Sequence, residues 1–154
     1  MDMKKQGSNN QCDLYSLAMI LDEEPATLVA EIGHDGTANQ WPEMPHPRNL
    51  RGFHIQELQD CCLNRGLCLY PVESLPVSAP SHTEGTLCHP YTCNKAATRF
   101  MLAIENRRAI LIGRPPSGPG HAVAWDGHMI YDPNGMIYNL SAFQVQEAWI
   151  LGNR

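Results

Sequence analysis

Behind the loop-forming run Gly7-Ser8-Asn9-Asn10, the apolar residues Leu14, Leu17, Ala18 and Leu21 recur at helical spacing. This pattern predicts a helix that opens at Cys12 and ends near Asp22. Asn9 or Asn10 can cap it, and Asp13 suits the positive end of its dipole. Pro25 at a first-turn position, the periodic Leu28, Val29 and Ile32, and Gly33 as a stop predict a short second helix. Residues 34–51 contain three prolines and little periodicity, the signature of a long surface loop. Ile55, Leu58, Cys62 and Leu63 then share one helical face that ends at Gly66, followed by an apolar strand over 67–72. Residues 73–92 again lack a period and read as a second long loop or an insertion.

A third substantial helix is expected over 94–108, then a strand over 109–113, a Pro/Gly-rich turn over 114–120, and two alternating strands over 121–125 and 128–132. Residues 140–151 fit a helix and a strand pair equally. Helices come first and an antiparallel sheet follows, so the fold class is α+β. The length of 154 residues and the 43% apolar share suit a single domain, 1–154, with one core.

Charge narrows the function. A net charge of −5, spread without runs, offers no basic face to a phosphate backbone, so nucleic acid is not an expected ligand. No apolar stretch approaches the roughly 20 residues needed to span a bilayer, and the first ten residues lack a secretory apolar segment. A cytoplasmic protein with no membrane partner is therefore expected. Its six cysteines (Cys12, Cys61, Cys62, Cys68, Cys88, Cys93) read as reduced thiols, most of them small buried hydrophobes.

Asp126-Gly127, between two alternating apolar runs, is a strong signal for a two-residue hairpin. That loop pairs Trp125 with His128, Val123 with Ile130, and His121 with Asp132. Opposed side chains have Cβ atoms about 4.5–5.5 Å apart, so the carboxylate can hold the imidazole in one tautomer and orientation. Pro133 should end the strand, leaving the pair at the open end of the hairpin. Asn134, two residues on, is the second candidate for orienting the ring. The plainer reading is a histidine that caps a strand beside an Asp-Pro turn.

A thiolate attacks where a thiol hardly does, and Cys12 at a helix amino terminus is expected to have a lowered pKa, further lowered if His121 comes near. Rapid alkylation of Cys12 below neutral pH is the corresponding expectation. Gln6 on the preceding loop suits the oxyanion of acyl transfer, together with the N–H of Cys12.

Gln6-Gly7-Ser8 followed by Cys12 resembles the oxyanion-glutamine and nucleophile segment of papain-like cysteine peptidases. The stretch 120–135, "GHAVAWDGHMIYDPNG", is similar to the histidine strand and the following Asp or Asn strand of that superfamily, particularly its compact bacteriocin-processing-peptidase-like branch. The order Cys, His, Asp also agrees. This resemblance implies a papain-like α+β fold and a cofactor-free hydrolase of amide or peptide bonds working through a thioester. Cys12 would be the nucleophile, His121 the base and then the acid, Asp132 the orienting group and Gln6 an oxyanion donor. A protein or peptide substrate and a bacterial or phage setting follow. Asp13 after the nucleophile departs from the residues common there, and residues 34–94 match nothing in the family. The helix over 53–66 with its following strand has a looser likeness to the Josephin deubiquitinases.

Rivals remain. A non-catalytic papain-like protein would use the same cleft to capture a partner. His82, Cys88, His89 and Cys93 include a C-x4-C spacing that would hold zinc in an interaction module, though paired short-spaced ligands at both ends are missing. His34, His46 and His54 border the first long loop, as cleft or solvated residues. An amine in place of water would make the enzyme an acyl transferase.

Overall fold

The computed structural model describes residues 1–7, 10–72, 98–115 and 120–154. Three helices precede the sheet: α1 (Cys12–Leu21), α2 (Pro25–Ile32) and α3 (Ile55–Leu63). The strands are β1 (Leu67–Val72), β2 (Ala109–Arg114), β3 (His121–Trp125), β4 (Ile130–Asp132), β5 (Met136–Tyr138) and β6 (Gln144–Asn153). They form one six-stranded antiparallel sheet in the order β1-β6-β2-β3-β4-β5. The α+β class and the amino-terminal helices agree with the periodicity. Residues 98–104 are also helical, while the start of the helix expected over 94–108, the loop over 73–92 and its zinc-ligand candidates lie outside the described residues. Among those residues no helix is long and apolar enough to cross a membrane.

Apolar side chains cover both faces of the sheet. Leu14, Leu17, Leu28, Leu58 and Cys62 from the helices pack on Ile110, Ala122 and Ala124. The two alanines of β3 allow α1 to lie close to the strand, which fixes the helix start relative to the strand's first residue, His121. Phe100, Ile104, Leu111, Val123, Trp125 and Phe143 fill the opposite face. Gly113 marks a bulge between β2 and β6, where a Cβ would collide with the Gln144 carbonyl oxygen.

Three expectations change. The β3–β4 register pairs Ala124 with Tyr131 and Trp125 with Ile130, so the loop is four residues, Asp126–Met129, and not the two-residue turn. The Asp126 carboxylate accounts for this by accepting the N–H groups of His128 and Met129 at 2.8 and 2.7 Å, an Asx cap that competes with the tight turn. Carried one step further, this register sets Asp132 opposite Val123 and makes it a diagonal neighbour of His121. Because the slip is even, the two stay on one face.

Second, the strand stops at Asp132 as expected, yet Pro133-Asn134-Gly135 forms a further hairpin loop into β5, with Gly135 at φ 92°. Third, residues 140–151 resolve into a short 3₁₀ turn, Leu140–Ala142, and the start of the long strand β6. The α1 cap also differs. Gln11 occupies the N-cap without a capping side-chain bond, its Nε2 donating to Asp35 O, and Asn10 instead donates Nδ2 to the Pro47 carbonyl at 3.1 Å.

Candidate active site

Cys12 is the first residue of α1, and His121 is the first of β3. Both line a cavity of about 940 Å³, shared with Gln6, Asp13, Asp132 and Asn134. The fold therefore collects all four expected site residues, Cys12, His121, Asp132 and Gln6, from the two ends of the chain. His34, His46 and His54 do not line it.

His121 Nε2 lies 2.7 Å from Asp132 Oδ1, with the ring 10% and the carboxylate 2% exposed. Asn134 Nδ2 is 3.3 Å from the same nitrogen, so the carboxylate is the closer and charged partner. Burial alone would raise the Asp132 pKa. Hydrogen bonds from His121, the Asn134 N–H and the Tyr138 hydroxyl, with the charge His121 carries when protonated, hold it below the ordinary carboxylate value instead. Tyr138 is pushed up by burial and by that carboxylate. With Nε2 committed to Asp132, Nδ1 is the ring nitrogen left to exchange a proton.

The thiol differs from its expectation. Burial, and then the negative charge of Asp13, push Cys12 up to about 12, against the smaller lowering by backbone groups of Ala122, Asp13 and Cys12 itself. Desolvation outweighs the helix terminus, so the resting thiol is neutral and the expected low-pH reactivity is withdrawn. No hydrogen bond joins its sulfur to the imidazole in this structure. Asp13 is itself raised to about 6, chiefly by burial, with His121 opposing and Glu147 adding to the shift.

Gln6 donates its backbone N–H to Pro133 O at 2.8 Å and its Nε2 to Asn134 Oδ1 at 2.9 Å. This pins the amino-terminal segment against the β4–β5 turn. An amide nitrogen carries two hydrogens, so one remains after the bond to Asn134.

Sequence reading missed Tyr138 and the part Asn134 plays between Gln6 and His121. The signal was present in Asp132-Pro133-Asn134-Gly135 between apolar residues, a hairpin turn in its own right. It also missed Asp13 as an opponent of the Cys12 thiolate, because spacing gives its position at the helix start and not its burial. Compared with known proteins, the chain matches no family model and no curated protein sequence, so these residues and their geometry are what a functional assignment has to stand on.

Proposed function

We propose that this chain is a papain-like cysteine hydrolase of amide or peptide bonds, resembling the compact bacteriocin-processing branch. The observation that carries the reading is the meeting, in one cleft, of a helix-leading thiol with an imidazole whose far nitrogen is fixed by a buried carboxylate. Because Cys12 is neutral at rest, its proton passes to His121 Nδ1 as the sulfur attacks the carbonyl carbon, and apo sites of this kind often tighten only around substrate. The N–H of Cys12 and the free hydrogen of Gln6 Nε2 face the developing oxyanion. The tetrahedral adduct collapses as the leaving amine takes the proton from His121, giving a thioester on Cys12. Water, deprotonated by the same ring, releases the acid; an amine at this step would make the reaction an acyl transfer. Asp132 holds the ring and stabilises its protonated form.

Replacement of Cys12 by Ala should abolish hydrolysis of a peptide library while leaving the thermal melt in place. Equal turnover by that variant and the parent removes the nucleophile and the reading with it. A non-catalytic binding protein is favoured by the raised thiol pKa and the missing sulfur–imidazole hydrogen bond. It predicts peptide capture that survives Cys12→Ala with no product from either form.

A further inference from the structure

We propose that the cleft selects substrates with a carboxylate side chain, Asp or Glu, near the scissile amide, and that Arg48 is the residue that reads it. This rests on the hydrolase reading for its chemistry, though recognition of the anion does not. The charged side chains lining the cavity are Asp13, Arg48, Arg51, His121 and Asp132. Most are answered within the fold. Asp132 takes hydrogen bonds from His121, the Asn134 N–H and Tyr138, and Arg51 gives Nη2 to Glu57 Oε1 at 2.6 Å. Arg48 has no ion-pair or hydrogen-bond partner for its guanidinium among the described residues, and its side chain is open to the cleft.

The platform beneath Arg48 is nevertheless fixed. Its N–H donates to Pro45 O at 2.9 Å, and Leu50 N–H returns to Pro47 O at 3.1 Å. Asn49 O accepts the N–H groups of Gln40 and Trp41, and Asn10, two residues before the nucleophile, ties Pro47 to the site. A free guanidinium rising from a pinned backbone can grip a planar carboxylate through two parallel N–H groups. With Arg51 paired to Glu57, Arg48 is the free cation on this wall among the described residues, in a chain whose net charge is −5. Asp13, on the helix side, repels an anion from the nucleophile and leaves the Arg48 wall as its place. Leu50 and Phe53 also line the cavity and offer apolar surface to the methylenes of the acidic side chain.

The test uses short peptides ending in a vinyl sulfone, with Glu, Gln or Lys at each of three positions before the warhead, and follows labelling of Cys12 by mass spectrometry. At one position the Glu peptide should label at least about tenfold faster than its Gln isostere. Arg48→Gln should bring that ratio to near one, and Arg48→Glu should turn the preference towards Lys. No preference at any position, or one that survives Arg48→Gln, overturns the proposal. Fluorescence anisotropy of the same peptides without the warhead, on the Cys12→Ala protein, separates the two levels of claim. Glu-peptide binding lost in Arg48→Gln, with no labelling of Cys12 anywhere, upholds Arg48 and removes the hydrolase.

Discussion

Among the described residues two histidine–carboxylate pairs occur, and their difference bears on which of them is placed for chemistry. His34 Nε2 lies 3.0 Å from Glu57 Oε1, close to the 2.7 Å of His121 and Asp132. The other nitrogen of His34 accepts the Gly36 N–H at 3.0 Å, and its ring stacks on Phe53 at 5.0 Å between centroids. Both nitrogens are spent, so the ring is a strut. Glu57 also binds Arg51 and accepts the His54 N–H at 2.9 Å, which makes this pair the fastening of the wall over 34–54. His121 keeps Nδ1 without a hydrogen bond among the described residues, on the cleft that holds Cys12. Distance to a carboxylate does not distinguish the pairs; the fate of the second nitrogen does.

The largest expected contrast is in turnover. His121→Ala should lower kcat by about 10²–10⁴, whereas His34→Ala should leave kcat within a fewfold and lower the melting temperature, as loss of one part-buried hydrogen-bonded group costs about 1–3 kcal/mol. Steady-state kinetics beside a thermal melt checks both, and equal kinetic losses would break the distinction. Asp132→Ala strips the buried partner from His121 and should cost about 3 kcal/mol of stability with a similar fall in rate.

Acidity acts on both pairs with the same sign. The Asp132 and Glu57 pKa values are depressed in the fold, so their stabilisation is complete above the ordinary carboxylate values, 3.8 and 4.5, and is lost as pH falls through the folded ones. Asp13 has the opposite sign. Raised from 3.8 to about 6, it costs stability increasingly as pH rises from 3.8, and the whole cost is present above about pH 6. Asp13→Asn should therefore stabilise the protein at pH 8 by up to about 3 kcal/mol and hardly at pH 4, and should speed iodoacetamide alkylation of Cys12 by lowering its pKa. Urea melts at the two pH values test this, and an equal change at both would show that Asp13 is not the buried charge described. The smallest effect belongs to Tyr138→Phe, which removes one hydrogen bond to Asp132 and should cost about 1 kcal/mol.

Much of this arrangement was legible in the sequence. Cys12 sat where loop formers give way to a helical period, and alternation placed His121 and Asp132 on facing strands. The His–Asp contact follows even though the register was misjudged, because Asp126 caps the turn with its own carboxylate and the resulting slip preserves side-chain parity. The strand pair β4–β5 was hidden because Pro133 reads as an end of pairing, when it opens a three-residue turn. The thiol's ionisation was not legible at all. A helix terminus is visible in the sequence, but the desolvation that overrides it arises from packing between segments far apart in the chain. Likewise, Glu57 lies in the first turn of α3, where no local pattern points to its partners, and only the folded loop brings it His34 and Arg51.

The proposed function requires that Cys12 and His121 act as one acyl-transfer unit while His34 only braces the wall. Peptide mapping by mass spectrometry, after rapid acid quench of the protein with a saturating activated peptide ester, reads that claim directly. An acyl group on Cys12 in the parent and in His34→Ala, and absent in His121→Ala, is the predicted result; no acyl-Cys12 in the parent, or the same yield without His121, would contradict it.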